Sequence, residues 1–347
     1  MNLSIIVPVY NVEKYIRACF ESIFRQGLDD DAFEVIIVND GTPDRSIEVI
    51  ADIISQHNNI TVINQDNQGL SVTRNNGIAA AKGEYIFMPD SDDLLIDNSL
   101  PFLLELALSS KADLVVADFI KMIKGEISNL QTTNIEQKEI KTVEKTGKAL
   151  FLEDLNPYQC YVWRTFYRRQ FLIENQIRFV PGIFYQDVPF THECYLKATK
   201  CIRTSKLLNI YRVRRPGAAT SSFNIIKAKN LCIAISNTWE LRGLNSHTSQ
   251  TLIKLQDDVF ATFSSLVYST AHDINDPIER KQIINYLKQL VPDLAFSNGF
   301  KQTVFSLCYH VKPYVLICLR RIYGKVFEDC IIPFFRHNIL SIFIHKK

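Results

Sequence analysis

Three aspartates follow directly after a short apolar segment in the first third of the chain. Tyr85–Met88 has the composition of a buried strand. Asp90, Asp92 and Asp93 come immediately after it. Carboxylates this close together repel one another unless a cation lies between them. Oxygen ligands of this kind suit Mg²⁺ or Mn²⁺ that holds a phosphate-bearing substrate, and a solvated acidic turn is the alternative.

Polar residues also follow the other predicted strands of this region. The first strand leads into Pro8 and Tyr10, the second leads into Asp40, and Arg74 lies in the helix after the third. Ligands of an open α/β sheet collect at the carboxyl ends of its strands, so these residues are expected around one crevice. There Asp40 can accept from a nucleotide base or a ribose hydroxyl, and Arg74 can hold a pyrophosphate or a base edge. Taken singly, Asp40 could instead form a turn, and Arg74 could be an exposed helix charge.

Strand and helix patterns alternate through the first 118 residues. Strands are predicted at Leu3–Val7, Phe33–Val38, Ile60–Ile63, Tyr85–Met88 and Leu114–Ala117. Helices are predicted between them, after Asn11, from Pro43 at a first helical position, over Ser71–Ala81 and over Ser99–Ser110. This alternation predicts an α/β fold with a doubly wound, mostly parallel sheet flanked by helices.

The pattern changes after Asp118. Residues 119–146 are expected to form a polar, hairpin-like excursion around Lys124-Gly125, and residues 147–222 mix short helices with aromatic, strand-like segments. From about residue 224 to 290, apolar positions recur at helical spacing. The chain is therefore expected to divide into a sheet-containing domain over residues 1–222 and a helical carboxyl-terminal extension over residues 223–347.

Residues 301–347 differ in charge from the rest of the chain. They contain eight Lys or Arg against Glu328 and Asp329, whereas the first 300 residues have a negative net charge. Their apolar runs are interrupted before they reach the roughly 18–20 residues that cross a bilayer. This combination predicts a segment that lies on the inner face of an anionic membrane, or else an ordinary helix that packs on the protein.

Composition and cysteine spacing indicate a folded protein of a reducing compartment. The chain is 47% hydrophobic and 22% charged, with a net charge of +2. Its eight cysteines form no Cys-x-x-Cys pair, and no signal-peptide pattern precedes the first strand. We expect a cytoplasmic, peripherally membrane-associated protein without disulfides or a nucleic-acid partner. The sequence has no dinucleotide-binding or P-loop glycine motif. The negative charge of a bound phosphate would therefore have to be balanced by a metal ion together with Arg or Lys side chains.

Four segments in order closely resemble the family-2 glycosyltransferases, which are inverting enzymes of the GT-A fold. The segments are Ser4–Asn11, Val38–Gly41, Gln68–Asn75 with Gly77, and Gly83–Asp93. The resemblance implies that Asp40 binds the base of a nucleotide sugar and that Asp90 lies near the ribose. It implies that Asp92 holds the Mg²⁺ or Mn²⁺ that bridges the diphosphate. It also implies transfer of a hexose or N-acetylhexosamine, with a UDP-sugar as donor, to a glycan or lipid-linked saccharide.

Transfer with inversion in one displacement requires a carboxylate that takes the proton of the acceptor hydroxyl. The segment Gly182–Phe190 resembles the part of the family that commonly reads Glu-Asp, in which the Asp is the catalytic base. Asp187 matches that Asp, whereas Gln186 replaces the Glu. The alternative role for Asp187 is to cap a helix that begins at Val188.

Two further segments are similar to the family. Tyr211–Ser221 resembles a basic loop that closes over the diphosphate in relatives, with Arg212 and Arg214 as countercharges. A solvated basic turn is the alternative. The other segment is Tyr161–Arg164, in which Trp163 could form an apolar face for a sugar ring or could pack in the core. Two other functions stay open: a nucleotidyltransferase, which should carry a glycine-rich phosphate loop after the first strand, and a non-catalytic relative that binds glycans or a partner.

Overall fold

The computed structural model describes residues 1–123, 135, 137, 139–213, 222–245, 247–296, 299–311 and 313–323. The chain divides into two compact units. The first comprises Met1–Leu155 with Cys160–Ser221, and the second comprises Asn156–Gln159 with Ser222–Lys347. Every predicted site residue falls within the ranges of the first unit.

A mixed sheet runs through the first unit. Its described strands are β1 (Leu3–Val9), β2 (Phe33–Asp40), β3 (Ile60–Gln65), β4 (Tyr85–Phe87), β5 (Leu94–Leu95), β6 (Leu114–Ile123), β7 (Thr142–Lys145), β8 (Thr165–Arg168) and β9 (Cys201–Val213). They are ordered β3-β2-β1-β4-β8-β6-β9-β5, with β7 paired to β9. The β1–β2, β2–β3, β1–β4 and β6–β9 pairs are parallel, whereas β8 is antiparallel to both β4 and β6. The predicted α/β class, with a helix-flanked sheet, is confirmed.

The helices of the first unit alternate with its strands as predicted, but two of them begin later. They are α1 (Ile16–Phe24), α2 (Ser46–Val49), α3 (Ala51–Gln56), α4 (Leu70–Ala80), α5 (Ser99–Ser110), α6 (Gly147–Glu153), α7 (Arg169–Glu174) and α8 (Asp187–Lys197). The prediction of a helix that begins at Pro43 is wrong. Asp44 accepts hydrogen bonds from the backbone and hydroxyl of Ser46, which starts the helix there. The first helix also begins late, at Ile16, because a turn precedes it in which the Tyr15 N–H donates to the Val12 carbonyl at 2.8 Å.

Strand β1 and helix α4 pack unusually closely. Every residue of β1 is buried, as expected for a strand covered on both faces. Helix α4 crosses this strand at Gly77, where a Cβ would overlap the side chain of Ile6. The start of α4 is held at the carboxyl end of β2, since Asp40 accepts the N–H of Gly69 at 2.9 Å. These contacts fix the helix that carries Arg74.

The later part of the sheet departs from simple alternation. Strand β6 extends beyond the predicted Leu114–Ala117 and pairs with β9. Strand β8 follows a 3₁₀ turn at Val162–Arg164 and inserts between β4 and β6. Phe166 of β8 lies opposite Phe87 of β4, with ring centres 5.2 Å apart. Most of the hairpin predicted around Lys124-Gly125 lies outside the described residues.

The second unit is helical in its described residues, as predicted. Its helices are α9 (Ile225–Glu240), α10 (Ser249–Asp273), α11 (Pro277–Leu290), α12 (Phe300–Val311) and α13 (Pro313–Tyr323). Local sequence sets two of their starts: Thr248 and Thr251 form a capping box, and Asp276 caps α11 with Pro277 at its first position. No helix in the described part of the chain combines the length and apolar character that a bilayer crossing requires.

Candidate active site

The loop between β4 and β5, which we call the acidic loop, carries Asp90, Asp92 and Asp93. One carboxylate oxygen from each lies within 4.8 Å of the others. Asp93 is buried; one of its oxygens accepts the Arg212 N–H at 2.7 Å, and the other finds no partner among the described residues. Burial raises the pKa of Asp93 well above its ordinary value, and the charges of Asp92 and Asp90 raise it further. Crowded carboxylates with an unsatisfied oxygen fit the ligand preference of Mg²⁺ or Mn²⁺.

Arg74 reaches the acidic loop from α4. Its side chain is only 2% exposed, and its Nη2 donates to Asp90 Oδ1 at 2.6 Å. The guanidinium carbon also lies 5.5 Å from the centre of the Phe179 ring. Its Nε has no acceptor within the part of the chain that the structure describes. Arg74 is therefore a buried charge of this site and not an exposed helix charge.

Asp40, at the end of β2, organises the loop that precedes α4. One carboxylate oxygen accepts from Gln65 Nε2 and from the Gln68 N–H, both at 2.8 Å. The other accepts from Gly69, whose φ of 85° suits glycine and aims its N–H at Asp40. The carboxylate is buried, so these donors use most of its capacity to accept hydrogen bonds. Its contact with a nucleotide base stays a prediction.

Pro8 and Tyr10 differ in their access to a ligand. Pro8 is buried within β1. Tyr10 follows the strand and is 47% exposed. Of these two predicted site residues, Tyr10 is therefore the one whose side chain can contact a bound molecule directly.

Asp44 is a residue of this edge that the sequence analysis missed. Its carboxylate accepts from the Glu13 N–H at 2.9 Å, and it also accepts from the hydroxyls of Thr42 and Ser46. Thr42 Oγ1 in turn accepts from the Asn11 N–H at 2.9 Å. Burial acts to raise the pKa of Asp44, but the bonds from Ser46 and Thr42 lower it overall. Asp44 thus fixes the loop after β1, and the alternation Thr42-x-Asp44-x-Ser46 could have revealed this cluster.

Arg212, on β9, holds the acidic loop in place. Its backbone N–H donates to Asp93, and its Nε donates to the Asp92 carbonyl at 2.9 Å. Its guanidinium carbon lies 4.8 Å from the centre of the Tyr15 ring. A positive charge is therefore present beside the three carboxylates. Arg214 lies outside the described residues.

Asp187 is the first residue of α8, with Gln186 at the cap position, so the helix begins one residue before the predicted Val188. Burial raises the pKa of Asp187 to about 6, while the positive charge of Arg74 acts in the opposite direction. The negative charge of Asp90 contributes to the rise, so Asp187 and the acidic loop are within electrostatic reach of each other. A carboxylate with this pKa is mostly ionised at neutral pH and can accept a proton.

Gln186, which precedes Asp187 in sequence, and Trp163 are both buried. Gln186 is 2% exposed, and its Oε1 has no donor among the residues described. As a neutral side chain it adds no charge that would raise the pKa of the neighbouring Asp187. Trp163 is 3% exposed, which favours core packing over direct contact with a sugar.

Comparison with known proteins agrees with the motifs and the fold. Residues 4–174 match the sequence model of Glycosyl transferase family 2. The uncharacterised glycosyltransferase EpsJ of Bacillus subtilis is 36% identical over 211 residues, which span 60% of this chain and 60% of EpsJ.

Two solved structures show the same fold. The crystal structure of S. aureus TarS 1-349 in complex with UDP-GlcNAc has a TM-score of 0.75 at 20% identity, covering 94% of this chain and 92% of that chain. The mannosyltransferase PcManGT from Pyrobaculum calidifontis, in complex with GDP-Man and Mn²⁺, has a TM-score of 0.52 at 12% identity, with coverages of 93% and 88%. With the family match over residues 4–174, which include β2 to β8 and all four motifs in order, the chain belongs to glycosyltransferase family 2 and has the GT-A fold.

Proposed function

We propose that this protein is an inverting glycosyltransferase that moves a hexose or N-acetylhexosamine from a UDP-sugar to a saccharide hydroxyl. The observation that carries the proposal is the ion pair of the buried Arg74 with Asp90 of the acidic loop at 2.6 Å, whose two charges both act on the pKa of Asp187. A single displacement at a sugar carbon needs a base for the acceptor and a countercharge for the leaving diphosphate. TarS, which shares the fold, was solved in complex with UDP-GlcNAc.

The acidic loop serves the donor half of the proposed reaction. Asp90, Asp92 and Asp93 are the residues that would hold Mg²⁺ or Mn²⁺. When bound, such a cation neutralises the charge that develops on the departing diphosphate. The unsatisfied oxygen and raised pKa of Asp93 support this role, because a nearby cation would stabilise its ionised form. The side chains of Arg74 and Arg212 add positive charge at the same loop.

Asp187 serves the acceptor half of the proposed reaction. The proton of the acceptor hydroxyl moves to a carboxylate oxygen of Asp187 as the new C–O bond forms opposite the leaving diphosphate. A pKa of about 6 suits this step, since the group is ionised at neutral pH and still basic enough to take the proton. Arg74 favours the ionised form and so keeps the base ready.

Thermal unfolding with a panel of nucleotide sugars tests the donor proposal. The protein is mixed with UDP-glucose, UDP-galactose, UDP-GlcNAc or GDP-mannose, in Mn²⁺ or in EDTA. We expect a UDP-sugar to raise the unfolding midpoint only with Mn²⁺, because a ligand that binds the folded state stabilises it. Asp92→Asn should lose this rise, whereas Asp52→Asn, at a carboxylate 53% exposed on α3, should keep it. An equal rise in EDTA, or no rise with any nucleotide sugar, would contradict the proposal.

We also propose that the acceptor is a glycan or lipid-linked saccharide at the cytoplasmic face of the membrane, and that residues 301–347 bind that surface. Their positive net charge and the exposed Leu307 and Val311 of α12 support this. Helix α12 also contributes the buried Tyr309 to the second unit, so the test removes only residues 324–347. Sedimentation with phosphatidylglycerol vesicles should weaken severalfold on truncation, and phosphatidylcholine vesicles should bind neither form. Equal sedimentation of both forms would contradict the proposal.

A further inference from the structure

Four aromatic side chains form an interlocked cluster in the first unit. Tyr161 stacks on Trp163, with ring centres 4.7 Å apart and ring planes inclined by 14°. Phe119 of β6 meets the two rings edge-on, at 5.5 and 4.9 Å. Tyr211 of β9 packs against the same two rings at 5.4 and 5.3 Å. This mixture of stacked and edge-on contacts fixes the orientation of each ring.

The four aromatic side chains differ in how far they are exposed to solvent. Trp163 is 3% exposed. Tyr161, Tyr211 and Phe119 are each partly exposed. Trp163 therefore supports tyrosine rings that a ligand can reach. The proposed transfer step uses none of these rings.

The two tyrosines lie close to both charged parts of the candidate site. Burial raises the pKa of Tyr161, and the negative charges of Asp187 and Asp93 raise it further. Burial also raises the pKa of Tyr211, followed by the effects of Tyr161 and Asp93. Two hydrogen bonds place the pair there. Thr191 of α8, one turn after Asp187, donates to the carbonyl of Cys160, which precedes Tyr161, at 3.1 Å. The N–H of Arg212, which follows Tyr211, donates to Asp93 of the acidic loop at 2.7 Å.

We propose that Tyr161 and Tyr211 form a platform on which the acceptor saccharide stacks beside Asp187. This inference rests on the glycosyltransferase function proposed above. The apolar C–H face of a sugar ring suits a rigid aromatic wall, while a small number of polar groups around the wall sets the ligand's orientation. A sugar ring that stacks on Tyr161 presents its edge hydroxyls towards the carboxylate that takes the proton.

Trp163 supplies a reporter for this platform. The chain has two tryptophans, so Trp239→Phe, a change in the second unit, leaves Trp163 alone. A saccharide that stacks on Tyr161 changes the environment of the indole beneath it. This variant, with UDP and Mn²⁺ present, is titrated with the methyl glycosides and β-linked disaccharides of glucose, galactose and N-acetylglucosamine. We expect a saturable change in tryptophan emission with at least one of them.

Substitutions at the tyrosines separate ring stacking from hydrogen bonding. In the Trp239→Phe background, Tyr161→Phe keeps the ring and should bind the saccharide within about twofold, whereas Tyr161→Leu should weaken binding about tenfold. Tyr211→Leu should weaken it similarly and is the second variant if the first fails to fold. The matched control Tyr268→Leu removes a ring that is 45% exposed on α10 and should change nothing.

Two outcomes overturn the platform: no emission change with any saccharide of the panel, or equal affinity of Tyr161→Leu and its parent. Thermal unfolding with UDP and Mn²⁺ reports donor binding separately in the same proteins. If UDP still raises the midpoint, the donor proposal stands while the platform fails. If UDP raises no midpoint, the proposed function fails and the platform fails with it.

Discussion

Replacement of Asp187 by asparagine should stabilise the protein while it abolishes transfer. Burial raises the pKa of Asp187 from an ordinary 3.8 to about 6. The folded protein therefore binds a proton at this site more tightly than the unfolded chain does, and ionisation at neutral pH lowers the free energy of unfolding. A rise of roughly two pH units corresponds to about 3 kcal/mol, at about 1.4 kcal/mol per unit.

The size of this effect depends on pH. Well below its ordinary pKa of 3.8 the side chain is protonated in both states, so wild type and Asp187→Asn should there have equal stability. The wild type loses stability as the pH rises from about 4 to 6, and the full loss is present at pH 8. Asparagine does not ionise, so the variant should melt several degrees higher at pH 8, since each kcal/mol moves the midpoint by roughly 2–4 °C.

Thermal unfolding in EDTA at pH 4, 6 and 8, together with the release of UDP in a transfer assay, measures both effects. Loss of the base should lower kcat by about 10²–10⁴-fold. Asp113→Asn is a control of opposite sign: burial acts to raise the pKa of Asp113, but hydrogen bonds from Arg168 and Thr199 lower it overall. That control should melt lower at pH 8, by an amount that shrinks in acid. A lower or unchanged midpoint for Asp187→Asn at pH 8 would show that ionised Asp187 does not destabilise the fold, and near-normal turnover would show that Asp187 is not the base.

Three other changes have defined outcomes. In the wild type, kcat/KM should fall as the pH drops below about 6, because protonated Asp187 cannot accept a proton; a flat profile between about pH 5 and 8 would contradict this role. Asp44→Ala removes the hydrogen bonds that fix the loop after β1, so steady-state kinetics should show a donor KM raised about tenfold with a smaller change in kcat; an unchanged KM would show that the loop needs no such support. Gly77→Ala places a Cβ against Ile6 and should lower the free energy of unfolding in urea by about 1–3 kcal/mol. Gly243→Ala, where a Cβ meets nothing within 4 Å, is its control, and equal losses in the two would argue against the tight packing of α4.

The first half of the fold could be predicted because its signals are local. The helix Ser99–Ser110 has the bounds that its sequence predicted. The strands after Leu3 and Phe33 start where expected and run two residues further. Family membership and fold class are confirmed for the same reason, since the four motifs lie where these strands and helices meet.

The parts that could not be predicted depend on contacts between distant residues. Strand β8 joins the sheet between β4 and β6 through pairs such as Tyr85 with Arg168, which no local pattern specifies. The Asp44 carboxylate accepts a hydrogen bond from the N–H of Glu13, which is 31 positions away in sequence. The acidic loop also depends on distant contacts. The sequence indicated Asp92 as the metal ligand. The burial of Asp93 and its hydrogen bond from the Arg212 N–H follow from the pairing of β5 with β9.

Buried polar atoms without partners also mark the candidate site. Ten buried side-chain polar atoms of the described residues lack hydrogen-bond partners, and three of them, Arg74 Nε, Asp93 Oδ2 and Gln186 Oε1, belong to residues at or next to the candidate site. A buried unsatisfied group costs roughly 1–3 kcal/mol, and a ligand bound at the site would offset that cost for these three atoms. Unmet hydrogen bonds of this kind are expected at functional sites. Sequence shows the residue types here but not their unmet hydrogen bonds.

The proposed reaction depends on a divalent cation that Asp90, Asp92 and Asp93 hold beside Asp187. Anomalous diffraction at the manganese edge, from crystals grown with UDP and Mn²⁺, would locate that cation. We predict one strong peak within coordination distance of carboxylate oxygens of the acidic loop and of a UDP phosphate oxygen. Bound UDP with the manganese peak elsewhere, or with no manganese peak at all, would contradict the claim.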